Sequence, residues 1–314
     1  MEAAGAAACA LGVFDGLHLG HQEVIGAAVQ AARELRLPAL AFTFANHPQS
    51  ILHPARPPRL LLTPHRRLHL LAGMGVDYLV SPSFTRDFAD LSAEEFVQSV
   101  LLERFHCRVA VVGFNYHFGR NRQGTPERLR DILAELGAEA VVLAPHLVDG
   151  EPVSSTRVRG AIERGEMAEA AKLLGRLHQV EGVVIPGTGR ARKLGFPTAN
   201  LLVEPSLLLP PAGVYCGRAM VGEGENWHPA LIYYGSRPTE RELDPNLDAG
   251  LLPHVVEAHL LDGPHELADR MLQVGLGPRI RGEERFPDLA TLKARIALDR
   301  EMALRWTAQD SRRS

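Results

Sequence analysis

Several protein classes are set aside by what this chain lacks. No apolar run in its 314 residues approaches the ~20 needed to cross a bilayer as a helix, so no membrane partner is expected. Cysteine is scarce: Cys9, Cys107 and Cys216 are far apart, odd in number and form no Cys-x-x-Cys, which fits free buried thiols in a reducing compartment. There is no basic excess either. With 34 Lys+Arg against 37 Asp+Glu, the net charge is -3, unlike the basic balance of a dedicated nucleic-acid binder. The alanine-rich start has only Glu2 as an early charge and lacks the basic segment that export requires, so the cytoplasm is expected. There is no internal repeat. What remains, 46% hydrophobic and 23% charged residues, describes an ordinary soluble chain long enough for two domains of ~150 residues.

The first half alternates between two periods. Short apolar runs at 8–14, 39–44, 78–81, 109–113 and 139–144 read as buried strands. Between them, Ile25, Val29, Ala32 and Leu35 share a helical face, and Ser92 with Glu95 forms a capping box ahead of Phe96, Val97, Val100 and Leu101. Another helix has Thr125 as cap and Pro126 at its first position; Leu129, Ile132, Leu133 and Leu136 follow at helical spacing, and Gly137 stops it. Strands alternating with helices predict an α/β doubly wound parallel sheet. After a pair of short helices at 154–174, broken near Gly165, glycine and proline become dense. Apolar runs at 182–185, 214–220, 229–234 and 255–261 are then separated by turns, and a terminal helix carries Leu289, Leu292 and Ile296. That pattern predicts a small antiparallel β-barrel with a C-terminal helix. The expected domains are 1–177 and 178–314.

The sharpest motif is Gly12-Val-Phe14-Asp15-Gly16-Leu-His18-Leu-Gly20-His21, a strand end that opens a helix. His18 and His21 are three apart and share one face of the first turn. A helix N-terminus offers unpaired N–H groups and partial positive charge, which suits phosphate, and Gly16 and Gly20 let the backbone approach closely. Imidazoles there can stabilise charge on a phosphoryl group. Two histidines that merely cap and pack would produce the same spacing. A His-x-x-His zinc pair finds no nearby Cys or His to complete four ligands. Three more segments follow predicted strands and can converge on the same sheet edge: 43–48, 113–119 with Asn115, and 153–159. In the last, Ser154, Ser155 and Thr156 supply hydroxyls, and Arg157 and Arg159 cationic donors, though a plain N-cap cluster looks alike.

These elements resemble the nucleotidylyltransferases, and in order and spacing the adenylyltransferase module of bacterial bifunctional riboflavin kinase/FAD synthetases. The resemblance implies that the stretch from Gly12 to Gly20 binds ATP, with His18 and His21 near its phosphates. It also implies Asn115 in the nucleotide and flavin site, and Ser154, Ser155, Thr156 and Arg159 on adenine or phosphate.

In the second half, residues 187–200 join a Gly- and Arg-rich turn to Pro197-Thr198-Ala-Asn200. The turn can wrap phosphates with its N–H groups while Arg190 and Arg192 neutralise charge. Thr198 and Asn200 offer neutral oxygens suited to Mg²⁺. A basic turn before an Asn-capped loop is the plainer alternative. Glu257, between apolar neighbours on a strand, either faces solvent or stands in a pocket as a general base. The run from Leu194 to Asn200 closely resembles the riboflavin kinase domain of the same family. That implies a six-stranded barrel, with Gly187, Gly189, Arg190, Arg192, Gly195 and Pro197 around ATP. It further implies Thr198 and Asn200 on Mg²⁺–ATP, and Glu257 activating the ribityl hydroxyl of riboflavin.

The implied partners are riboflavin, FMN, FAD and ATP. Departures from the family pattern fall at Ala191, where glycine is usual, at 45–46, at His117, at 233–240, where Tyr233 replaces Asn, and at Gly263. Two other readings compete with the bifunctional enzyme: a divergent paralogue that binds flavin or nucleotide without turnover, and a nucleotidylyltransferase for a different phosphorylated acceptor. Neither oligomeric state nor domain orientation is read from the sequence.

Overall fold

The structure, a computed structural model, describes residues 6–187, 195–222, 224, 226–235, 255–263 and 267–310. The chain divides into two compact units, Met1–Ser155 and Thr156–Ser314.

The first unit runs β1 (Ala7–Leu11), α1 (Leu19–Leu35), β2 (Ala39–Phe42), α2 (Pro48–Leu52), α3 (Pro64–Ala72), β3 (Tyr78–Val80), α4 (Arg86–Ala89) and α5 (Ala93–Glu95). It continues with β4 (Cys107–Gly113), α6 (Pro126–Glu135), β5 (Glu139–Leu143) and the small hairpin β6 (Leu147–Val148) and β7 (Glu151–Pro152). Five strands pair in parallel in the order β3-β2-β1-β4-β5. β1 is buried along its whole length, which is why it reads as an unbroken apolar run rather than an alternation. Thr125 caps α6 through its hydroxyl, and Ser92 and Glu95 complete their capping box. Beyond Glu95 the chain winds as π-helical turns over Phe96–Arg104, a departure from the expected α-helix that still buries Phe96, Val97 and Leu101. Leu35 and Leu136 lie at helix ends, half exposed rather than on the buried faces. The strand order reverses between β1 and β4, so the loops leaving those two strands part and leave a crevice.

The boundary falls after the first residue of α7 (Ser155–Glu163), and the second unit continues with α8 (Met167–Leu174), then β8 (His178–Ile185), β9 (Ala199–Val203), β10 (Gly213–Val221), β11 (His228–Gly235), β12 (Val255–Leu260), β13 (Met271–Arg281) and α9 (Leu289–Asp310). The strands close an antiparallel barrel in the order β10-β11-β12-β9-β8-β13. α8 packs on β8 and β13. The sequence pattern marks four of these strands; β9 and β13 are expected only through the family resemblance.

Tyr215, Ile232, Val256 and Ala258 are buried, while the alternate positions Val214, Cys216, Leu231 and Tyr233 pack with Ile296, Ala303 and Trp306 of α9. Asp299 of α9 is fully buried and fixes the helix: Arg281 Nε stands 2.8 Å and Arg295 Nε 3.3 Å from its carboxylate. Removing one partner of such a pair leaves an uncompensated buried charge, which costs about 3–5 kcal/mol.

Burial also sets an acid limit on the barrel. His178 is buried with Nε2 2.9 Å from the Leu208 carbonyl, and burial pushes its pKa down to about 4. An unfolded histidine titrates near 6.5, so below that pH the unfolded chain binds a proton the folded barrel refuses. Stability from this residue is full above pH 6.5 and falls by about 3 kcal/mol as pH drops to 4. Trp227 and Trp306, the only two tryptophans, both belong to this unit, so urea unfolding followed by tryptophan fluorescence reports it selectively. His178→Gln should flatten the decline between pH 7 and pH 4; an unchanged decline would contradict the assignment.

Candidate active sites

In the first unit, His18 is the N-cap of α1: its Nδ1 accepts the His21 backbone N–H at 3.4 Å, and its carbonyl takes the same N–H at 2.8 Å. An accepting Nδ1 leaves Nε2 to carry the proton in the neutral ring. The His18 and His21 rings are stacked, with centroids 3.6 Å apart, and Phe14 meets His21 edge-on at 5.5 Å. Phe14 is fully buried, which gives His21 a fixed apolar neighbour. The loop turns sharply, with positive φ at Phe14, Gly16 and Leu17. Gly20 is in the first turn of α1; a Cβ there would have the His18 ring at 3.5 Å and the His146 Cβ at 3.8 Å among its nearest neighbours.

Several buried groups hold this loop. The Asp15 carboxylate accepts the Leu61 N–H at 3.0 Å, and the Asp15 carbonyl accepts the Ser155 hydroxyl at 2.9 Å. The Thr43 hydroxyl and the Arg67 guanidinium both donate to the Val13 carbonyl, at 2.8 and 3.3 Å, and Arg67 also reaches the carbonyls of Phe44 and Ala45. Arg67 thereby ties the carboxyl ends of β1 and β2 together. Burial lowers its pKa from the ordinary value, and the charge of Asp15 opposes that shift. Asn115 is exposed on the loop after β4, and its Oδ1 lies 3.7 Å from where a Gly113 Cβ would be.

Other predicted residues have mixed surroundings. Ser154 and Ser155 are half-buried and precede Thr156, which is exposed, and Arg159, half-buried, on α7. Arg157 is held by Glu169 at 2.6 Å. The departure at 45–46 has a structural use: the Asn46 side chain accepts the Phe84 N–H at 2.7 Å and donates to the Phe84 carbonyl at 3.1 Å. Phe84 then joins Phe44 and Phe88 in an aromatic cluster beside the ends of β2 and β3. Sequence reasoning missed Arg67 and also His146, whose Nδ1 lies 2.6 Å from the Glu23 carboxylate on α1. A histidine just after a predicted strand was the available signal for His146; nothing local marks Arg67.

In the second unit, Glu257 on β12 stands opposite Asn200 of β9 and opposite Tyr233 of β11. Directly opposed residues share a face, so the three side chains form a row on the outer face of the barrel. The Thr198 hydroxyl makes a long contact of 3.4 Å to Glu257 Oε2. Asn200 is buried, and its carboxamide lies so close to Gly187 that a Cβ there would fall 2.9 Å from its Cγ. Pro197 and Gly195 are exposed, and the Pro197 carbonyl lies 2.7 Å from His259 Nδ1. Burial lowers the His259 pKa, and the hydrogen bond to the Pro197 carbonyl opposes that shift. Tyr233 is held above its ordinary pKa by burial and then by its hydrogen bond to Glu283. Gly189, Arg190, Ala191 and Arg192 lie outside the described residues, as does 236–240 of the departing stretch.

A family model for FAD synthetase matches residues 1–157, and one for riboflavin kinase matches residues 174–307. A Bacillus subtilis protein named bifunctional riboflavin kinase/FMN adenylyltransferase is 32% identical over 299 residues, covering 95% of this chain and 91% of that one. The chain belongs to this bifunctional family. An Escherichia coli K12 member of the same name is 33% identical over 289 residues, covering 92% of this chain and 89% of its own. A crystal structure described as a macrolide-efflux protein from Streptococcus pneumoniae matches with a TM-score of 0.84 and 29% identity over 98% of this chain and 96% of that one. Among the described residues here, no helix is long and apolar enough to cross a membrane.

As a member of the riboflavin kinase/FMN adenylyltransferase family, the chain carries both domains. The Gly187–Asn200 contact gives a direct test of the second. Gly187→Ala forces the Asn200 carboxamide to move, so FMN formation should fall at least about tenfold, the scale of misplacing one substrate-positioning group. FMN adenylylation, assayed in the same preparation, should stay within twofold of wild type. Undiminished FMN formation would mean that Asn200 has no part in the site.

Proposed function

We propose that the enzyme phosphorylates riboflavin with ATP in the barrel and adenylylates FMN in the α/β unit, and that each site uses the residues named above. The chemistry is assigned to residues 178–314 and 1–177 respectively. The observation that carries the kinase half is the single row of Asn200, Glu257 and Tyr233 across three strands, with Thr198 beside it. Glu257 takes the proton from the ribityl hydroxyl as that oxygen attacks the γ-phosphorus of ATP and ADP leaves. The Thr198 hydroxyl and the Asn200 carboxamide oxygen are hard, neutral donors in a spot too tight for a side chain at 187, and they fit Mg²⁺ shared with ATP phosphates. When bound, Mg²⁺ neutralises charge on the transferring phosphates. Gly187, Gly189, Arg190, Arg192, Gly195 and Pro197 are assigned to ATP by family resemblance.

In the first unit the FMN phosphate oxygen attacks the α-phosphorus of ATP and pyrophosphate leaves. The stacked His18–His21 pair at the head of α1 supports this reading, because it sets two imidazoles at the positive end of a helix, where negative charge on a phosphoryl group is stabilised. Asn115, Ser154, Ser155, Thr156 and Arg159 are assigned to nucleotide and flavin. The three buried free cysteines and the use of ATP support a cytoplasmic setting.

The assignment predicts separable losses. Glu257→Gln should reduce FMN formation from riboflavin at least a hundredfold, the size of a lost general base, and leave FMN-to-FAD conversion intact. His21→Ala should do the reverse. Chromatography of the flavin products reads both; loss of both steps in either variant would contradict the division.

A further inference from the structure

The departure at Tyr233 has neighbours that the proposed reaction leaves unused. Tyr233 Oη donates a 2.6 Å hydrogen bond to Glu283 Oε1, in the segment just after β13. The pair lies over the backbone of Gly235, where a Cβ would stand within 2.5 Å of Tyr233 Cζ and closer still to the Tyr233 hydroxyl and the Glu283 carboxylate. The Tyr233 ring is anchored separately, in the apolar cluster that holds α9 to the barrel. Ring and hydroxyl therefore do different things.

The strand order says which substrate they face. Gly187, Thr198 and Asn200, assigned to the nucleotide, come from β9 and the chain leading out of β8, and β9 lies on one side of β12. Tyr233 comes from β11, on the other side of β12. In phosphoryl transfer the attacking and leaving oxygens are roughly in line through the phosphorus. With the donor on the β9 side and the base in the middle, the acceptor hydroxyl reaches Glu257 from the β11 side.

We infer that Tyr233 and Glu283 are a positioning pair for the kinase acceptor, their hydrogen bond holding the segment after β13 as a fixed wall beside Glu257. The inference rests on the kinase reading given above. The wall is neutral at the tyrosine, which stays protonated between the two carboxylates, and it limits how an alcohol-bearing planar acceptor can lie.

Steady-state kinetics of FMN formation test it. Tyr233→Phe keeps the ring and removes the bond; Glu283→Ala removes its acceptor. Each should raise KM for riboflavin about fivefold, the scale of one lost hydrogen bond, with kcat within twofold and KM for ATP unchanged. The double variant should be no worse than either single, and Glu283→Gln, which still accepts the bond, should stay near wild type. An unchanged KM for riboflavin in both singles, or multiplying effects in the double, would overturn the pair. So would a rise in both KM values with a fall in the barrel's urea midpoint, since that marks a purely structural role. A wild-type enzyme that makes no FMN would instead overturn the kinase reading itself.

Discussion

Closure of the barrel is the constraint that places Glu257. Side chains alternate along a strand, so a one-residue slip of β12 against β9 or β11 would turn Glu257 inward and expose Val256 and Ala258. An open sheet can slip at its edges; six strands closed in a ring have no free edge, and each register is fixed by two neighbours. α9 reinforces that state from outside. Its buried Asp299 accepts from Arg281 at the end of β13, so the helix and the strand leading to Glu283 are held as one piece. Asn200, Glu257 and Tyr233 thus stand in a row because the fold leaves them no other register.

The α/β unit reaches comparable order by a different device. Its proposed site lies where the strand order reverses between β1 and β4, the place at which an open parallel sheet leaves a crevice. The loop after β1 passes through left-handed backbone at Phe14 and Leu17, which a non-glycine residue adopts only when its surroundings insist. Those surroundings are identifiable: Thr43 and Arg67 on the Val13 carbonyl, the Leu61 N–H on the Asp15 carboxylate, and the Ser155 hydroxyl on the Asp15 carbonyl. Held this way, the loop delivers His18 and His21 as a stacked pair before any ligand binds. The groups proposed as catalytic, His18 and His21 in one unit and Glu257 in the other, belong to different units, and that is the physical ground for expecting two separable activities.

Much of this was legible in the sequence, for definable reasons. β1 and β4 announce themselves because burial on both faces makes them apolar runs, and α6 announces itself through Thr125 and Pro126. β13 is hidden because glycine and proline punctuate it; Gly277 is needed there because a Cβ would stand 2.7 Å from the Trp306 ring of α9. α3 is hidden because Arg66 and Arg67 occupy buried positions and break the apolar stripe. The family motifs point to the reaction, yet the contacts that shape the sites are long-range. His146 meets Glu23 across 123 residues, and Tyr233 meets Glu283 across 50, pairs that no local pattern can announce.

The most direct test uses the unmodified enzyme with Mg²⁺ and ATP, given riboflavin in one vessel and FMN in another, with the flavins separated by chromatography. The account predicts both FMN and FAD from riboflavin, and FAD from FMN. Absence of FMN and FAD in the first vessel would contradict the kinase assignment of the barrel, and absence of FAD in the second would contradict the adenylyl-transfer assignment of the α/β unit.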